Sequence, residues 1–302
     1  MKTLRTPKDL RNKDNQIRLK FRRFLIIVLS LLVVWIILGK GLILKNRISD
    51  QNAISLFEQR GVVLWIRDTL VNKHAVHFAG TGVDTLPTLV FIHGSPGSWS
   101  NYRACMWDSA LLKKYRMVSI DRPGFGYSEF GDVLHLDDQA LTILPIIKSL
   151  QNGKPISIFG HSMGAPVAVR IAAYAPALVD RLILAGAPLD VNQESPETWR
   201  KVMDKGALKL LLPGAFAPSN KELLYLKTDL VGLQREFSKI TCRVNFYHGD
   251  KDSWVPIGNI AFGISLMTNA RSVQSDTLKG AGHLIPWENQ EEFLQYLRYS
   301  IN

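Results

Sequence analysis

Apolar positions come in two kinds of run along this chain. Near the start they are almost unbroken: Phe24 to Gly39 carries no charge, Lys40 interrupts, and Gly41-Leu42-Ile43-Leu44 continues. As a helix rising about 1.5 Å per residue, 24–44 would extend roughly 31 Å, the thickness of a bilayer core, with Lys40 snorkelling its ammonium to the interface. A cleavable signal peptide also begins basic and continues apolar. The length of this run, the long basic segment before it and the lack of a small-x-small site before residue 50 favour an uncleaved signal-anchor. Residues 45–60 mix polar and apolar positions with helical character and read as a stalk.

From Gly61 the period changes. Val62–Ile66 and His74–Phe78 predict two strands, followed by the turn-rich Gly80-Thr81-Gly82. Thr88–Ile92 is a continuous apolar run, which suits a strand buried on both faces. Alternation then sets in: a helix near 101–112, a strand over 116–120, a helix near 136–151, a strand over 156–159, a helix over 165–175 and a strand over 182–185. Strands separated by helices predict βαβ units and a mainly parallel sheet. Residues 189–240 break the rhythm. Ser195-Pro196-Glu197 predicts a helix start with proline at its first position, and Ser219-x-x-Glu222 predicts a capping box. Leu208, Leu210, Leu211, Leu212, Phe216, Leu223, Leu224 and Leu226 are more apolar surface than two short helices bury alone, so this stretch is expected to pack over something. Strands return over 244–247 and 272–278, and an amphipathic helix closes the chain at 290–299. There are no internal repeats and no low-complexity tracts.

Charge changes the picture at one end only. The formal charge of the 302 residues is +11, and residues 1–23 hold nine Lys/Arg against Asp9 and Asp14, so +7 of it sits in the tail. No basic stripe with interleaved aromatics remains in the rest, which argues against nucleic acid as partner. Nine basic residues before the apolar run outnumber Lys45, Arg47 and Arg60 after it, so the tail is expected in the cytoplasm and the bulk of the chain is expected to be exported, on the periplasmic or extracellular face. Cys105 and Cys242 fit neither a disulfide framework nor a metal site and are expected as unpaired structural thiols. His74 and His77 fall on opposite faces of a strand, so they are expected as ordinary strand residues rather than metal ligands.

The candidate chemistry centres on Gly160-His161-Ser162-Met163-Gly164, a G-x-S-x-G between a strand-like run and an Ala-rich helix. Such a nucleophile elbow forces the serine into a strained backbone, and only glycine fits comfortably at 160 and 164. Ser162, Asp252 and His283 occur in the order nucleophile, acid, base, each just after an expected parallel strand, where open parallel sheets carry their active sites. His283 is the candidate base for the Ser162 proton, and Asp252 the group that would orient the imidazole. An oxyanion hole would take one donor from the amide of Met163 and a second from the loop after the third strand, where Ser95 has an amide and Pro96 has none. His93, His161 and His248 are expected to brace their loops rather than do chemistry.

HGSPGSWSNYR, DRPGFGYS, GHSMG, HGDKDSWVP and GAGH, in that order, resemble the α/β-hydrolase superfamily over about residues 61–302, particularly its esterase, carbon–carbon-bond hydrolase and haloperoxidase-like branches. The resemblance implies an α/β-hydrolase fold, a mainly parallel sheet flanked by helices, with residues 189–240 as a small helical lid and the apolar 24–44 as a preceding transmembrane helix. It implies the triad Ser162, Asp252 and His283, with neither cofactor nor metal. Serine at 162 departs from the epoxide-hydrolase and dehalogenase branches, whose nucleophile is aspartate. Asp250, and Asp190 after the preceding strand, are rivals for the acid; the H-G-x-x-D spacing favours Asp252. Asp121 is expected to anchor its turn to backbone amides and Arg122 to be a structural partner. The expected function is hydrolysis of a carboxylic ester or related acyl bond, on a lipophilic small molecule if the apolar lid lies over the site. A catalytically silent binding module, or an acyltransferase or perhydrolase with the same triad, stays open beside it.

Overall fold

In the computed structural model, residues 7–41, 47–195 and 197–299 are described. Outside them lie the first six residues of the expected cytoplasmic tail, the 42–46 junction of span and stalk, and Pro196 at the expected helix start. The side chains of 7–15 and 39–41, Lys40 with them, also lie outside the description. Eight strands form one sheet in the order β1-β2-β4-β3-β5-β6-β7-β8. The first two, Trp65–Val71 (β1) and His74–Thr81 (β2), are a hairpin, and β2 runs antiparallel to Arg116–Ile120 (β4). The rest is parallel: Thr88–Ile92 (β3) between β4 and Ile156–His161 (β5), then Arg181–Ala185 (β6), Arg243–Gly249 (β7) and Ser272–Leu278 (β8). Every residue of β3, β4, β5 and β6 is buried, because helices cover both faces of this part of the sheet.

Period-two alternation divides the core between those faces. Ile156 and Ile158 of β5 and Leu182 and Leu184 of β6 pack with the helices Leu136–Ser149 and Gly164–Tyr174. Phe159, Ile183 and Ala185 point the other way, toward Phe91, Tyr102 and Phe293 of the closing helix Gln290–Tyr299. Cys105 and Cys242 are buried and unpaired, one on each face, and burial pushes the Cys242 thiol up to about 11.

Four expectations shift. The first strand was expected at 62–66 but lies at Trp65–Val71, because Asn72 and Lys73 are both left-handed (φ 52° and 73°) and make the two-residue hairpin turn that fixes the register. That register sets Trp65 opposite Gly80, where a Cβ would come within 2.0 Å of the indole; β2 therefore continues through the glycine that read as a turn. The expected stalk is not a free spacer throughout. Ser49 caps a helix over Asp50–Glu58 whose Ala53 and Phe57 are buried in the domain core, Phe57 against Trp107. The 101–112 helix is broken into short turns, Trp99–Tyr102, Arg103–Met106 and Ser109–Leu112, the last capped by Asp108.

One helix, Pro7–Gly41, precedes the domain, and within it Gln16–Leu38 is long and apolar enough to cross a membrane, with a mean hydropathy of 2.5 and none of it buried. Between β6 and β7 the chain makes its longest excursion: a short turn Val191–Gln193, a helix Thr198–Met203, a 3₁₀ segment Gly206–Leu211 and a long helix Phe216–Gln234.

Candidate active site

The elbow is built as its residue types require. β5 ends at His161, Ser162 takes φ 51°, and the helix Gly164–Tyr174 starts two residues on. A left-handed serine is strained and survives only where its surroundings hold it; here the Ser162 amide donates to Ala185 O at 2.9 Å and its carbonyl accepts from Ala165 N at 2.9 Å. A Cβ on Gly160 would stand 2.5 Å from Gly164 O, and one on Gly164 would stand 2.1 Å from Ile92 O. Both glycines are therefore steric requirements of the turn. The Ser162 side chain is partly exposed, while Met163 is buried.

Of the three candidate acids, only Asp252 is bonded to His283 among the described residues, its Oδ2 2.7 Å from Nδ1. Asp250 accepts from Gly280 N and supports the turn before the histidine, and Asp190 caps its own turn through Asn192 N and Gln193. The other oxygen of Asp252 accepts from Trp254 N and Val255 N at 2.9 and 2.8 Å. His248 Nε2 sits between Val255 O at 3.0 Å and Asp252 Oδ2 at 3.3 Å. Burial pushes the Asp252 carboxyl up, but hydrogen bonds from His248 and His283 outweigh it and hold the group well below the usual carboxylate range. Asp252 is thus an anion fixed on one side by backbone amides and on the other by the imidazole.

His161 connects the elbow to the histidine loop. Its Nε2 lies 2.9 Å from His283 O, and burial, with the charge of His283 beside it, holds its imidazole down to about 3. It is neutral, so Nε2–H donates to that carbonyl and ties Ser162's neighbour to the loop carrying His283. Gly186, left-handed at φ 51° after β6, completes the seat. A Cβ there would meet His283 Cε1 and Nδ1 at 3.0 and 3.1 Å. Nothing local in Ala185-Gly186-Ala187 marks this glycine as a contact of a residue nearly a hundred positions later.

The loop after β3 lies against the serine, where a Cβ on Gly94 would be 3.0 Å from Ser162 Cβ. Its bracing is complete and wholly buried. His93, held neutral by burial and the adjacent Arg122 charge, accepts Arg122 N–H at Nε2 and donates through Nδ1 to Gly94 O. The Arg122 guanidinium donates to His93 O at 2.8 Å and Gly94 O at 2.9 Å, and also to Gln139 and Glu222. Asp121 anchors the turn as expected, accepting from Trp99 N and Tyr127 N, with burial pushing its carboxyl up to about 6.

Glu222 and Ser219 are where the local pattern misled. The helix that was to begin there starts three residues earlier, at Phe216, so they are interior residues rather than a capping box. Glu222 spends its carboxylate on Arg122 in a pair 2% and 0% exposed, and Ser219 Oγ accepts from Ser95 Oγ at 3.0 Å. The preceding helix starts at Thr198 after Glu197 rather than at 196.

A sequence profile described as alpha/beta hydrolase fold matches residues 87–220, the span that holds the β3 loop, the elbow and the start of the long helix Phe216–Gln234. A crystal structure of a membrane phospholipase A, a bacterial virulence factor, superposes with a TM-score of 0.59 over 92% of this chain and 97% of that one, at 21% identity. The chain has the α/β-hydrolase fold. Among its curated relatives, a pyrrolizixenacetamide deacetylase of Xenorhabdus hominickii is 28% identical over 70% of this chain and 90% of its own length. Epoxide hydrolase 1 of Caenorhabditis elegans is 30% identical over half of this chain, which spans only 35% of that protein.

Proposed function

We propose that this chain is a membrane-anchored serine hydrolase that cleaves a carboxylic ester or related acyl bond through an acyl-Ser162 intermediate. The observation that carries the reading is the 2.7 Å bond between Asp252 and His283 Nδ1, on a histidine loop tied to the residue beside a strained serine. With Nδ1 engaged, Nε2 is the nitrogen left for Ser162. It takes the Oγ proton as Oγ attacks the acyl carbon, and Asp252 stabilises the imidazolium that forms. The oxyanion is held by the amides of Met163 and Ser95. Collapse breaks the acyl–oxygen bond, and the imidazolium returns its proton to the departing alkoxide. Water then repeats the sequence on the acyl-enzyme, releasing the acid and restoring Ser162.

A serine at this position, rather than the aspartate of the epoxide-hydrolase branch, favours acyl chemistry, as does the deacetylase relative. Ser162→Ala is expected to abolish both labelling by a fluorophosphonate probe and hydrolysis of p-nitrophenyl esters. Labelling that persists in that variant overturns the assignment. A wild-type protein that neither labels nor turns over an ester panel favours the silent binding module, and new products with added alcohol or peroxide favour acyl transfer. The apolar helix and the basic residues before it support an anchored protein with its tail in the cytoplasm and its domain exported. Cytoplasmic activity of a reporter fused after Asn302 argues against that placement.

A further inference from the structure

The excursion between β6 and β7, the expected lid or cap, exposes an apolar row along one segment. Trp199, Val202, Leu208, Leu210 and Phe216 are 46, 52, 39, 43 and 49% exposed, and neither Thr198–Met203 nor Gly206–Leu211 contains a buried residue. Lysines are threaded through the same row. Lys201 and Lys205 are exposed and have no ion pair among the described residues, whereas Lys209 faces Asp204 at 3.2 Å. Apolar side chains alternating with cations are the composition of a segment that lies in a bilayer interface. Beside the row a pocket of about 520 Å³ is lined by Lys209, Lys221 and Asp204 together with Leu212, Pro218 and Phe130.

What covers this row is indicated by one contact. The indole N–H of Trp35, in the candidate span, donates to Leu211 O at 3.0 Å. Trp35 stands six residues, about 9 Å, before Gly41, where that helix ends. Tryptophan belongs at the membrane–water boundary, and interfacial segments bury their apolar face about 5–10 Å deep. A helix that spans therefore carries 206–211 to the same depth. The row also connects to the candidate site. Asn220 Nδ2 donates to Arg200 O at 3.1 Å, and Ser219, next to Asn220, accepts from Ser95 of the loop against Ser162.

We propose that the 199–216 face of the cap sits in the interface of the bilayer its own helix crosses, with its lysines among anionic headgroups, and that lipophilic ester substrate reaches Ser162 from that bilayer. This rests on the membrane-anchored serine hydrolase reading. The full chain, reconstituted in nanodiscs of phosphatidylcholine with or without phosphatidylglycerol, tests it. A nitroxide on Leu210→Cys is expected at headgroup–acyl depth, with the parent protein correcting for background labelling. Leu208→Glu/Leu210→Glu is expected to lower kcat/KM about tenfold on a bilayer-resident long-chain ester while leaving p-nitrophenyl acetate hydrolysis unchanged. Lys201→Glu/Lys205→Glu is expected to remove any gain from phosphatidylglycerol. A label in bulk water, or a glutamate pair without effect on the long-chain ester, overturns the proposal. Failure of the underlying reading looks different. A parent inactive on both esters removes the hydrolase reading and leaves the label depth to decide the docking face. Release of the chain from membranes by carbonate removes the anchor, and the docking face with it.

Discussion

The long helix Phe216–Gln234 and the segment Thr198–Leu211 before it belong to one excursion from the sheet, yet they meet the molecule in opposite ways. The long helix sets Leu226, Leu230 and Leu233 into the core, and its first turns reach the β3 loop through Ser219 and Glu222. The earlier segment buries nothing and presents tryptophan, valine and leucines outward. The word lid covers both, but the outer segment is tied on by bonds to its backbone carbonyls, from Asn220 to Arg200 O and from Trp35 to Leu211 O, rather than by buried side chains. It has less to break if it moves. The inner helix braces the loop beside Ser162, since Glu222 holds the Arg122 guanidinium that binds His93 O and Gly94 O, the latter immediately before the Ser95 amide.

The largest test of that contrast is Glu222→Ala. It leaves the Arg122 guanidinium buried without its anion and is expected to cost about 3–5 kcal/mol in chemical denaturation, with Glu222→Asp milder. A loss no larger than that of an exposed substitution would mean that the inner helix is as loosely held as the outer segment. Glu194, just before the outer segment and bonded at its carbonyl by Lys227 of the inner helix, comes next. Burial, opposed by Lys227 and reinforced by Asp190 and Glu197, pushes its carboxyl up to about 7. The fold keeps this proton while the unfolded chain sheds it near pH 4.3, so rising pH between those values destabilises the native state. Glu194→Gln is accordingly expected to match the parent near pH 4 and to exceed it by on the order of 2 kcal/mol above pH 7; thermal melts across that range would show the gap open, and a constant difference would contradict it.

Ser219→Ala is expected to cost about 1 kcal/mol, the worth of one partly buried hydroxyl bond. In an ester assay it should lower kcat more than it raises KM, because the bond it removes holds the residue whose amide is assigned to the transition state. Val202→Ser, on the outer segment, is expected to change stability by less than about 0.5 kcal/mol in detergent. A larger loss there would erase the distinction between the two halves.

These positions also divide what the sequence discloses from what it hides. Thr88–Ile92 and Arg116–Ile120 are strands where their side-chain pattern puts them, because burial acts within a few residues, and Ser272–Leu278 is a strand at its expected place although none of it is buried. The elbow is legible because strand, serine and helix meet within five positions and Gly160 is required by Gly164 O close by, although Gly164 itself is required by Ile92 O and His93 O from a distant strand. The Asp252–His283 pair was legible through spacing after two strands, with Asp250 drawn off by Gly280. Ser219 and Glu222 misled because a capping signature is local while their partners, Ser95 and Arg122, lie 124 and 100 residues away. Gly186 was silent in the same way, its requirement set by an imidazole that arrives from β8. The helix Gly258–Leu266 gave no signal either, carrying glycine at 258 and 263, where it presses on Phe246.

Arg47 has a last consequence. Its guanidinium lies 3.8 Å from the Tyr127 ring centroid and donates to Gly126 O, so the chain is fastened to the domain six residues after the long helix ends at Gly41. Six residue steps reach at most about 22 Å. On an anchored chain, that leash is shorter than the domain it holds, and the serine would patrol a layer rather than a volume. Molecules dissolved in the same bilayer would meet it at an effective concentration set by area, and those far out in solution would compete at a disadvantage that no change in the pocket itself could remove.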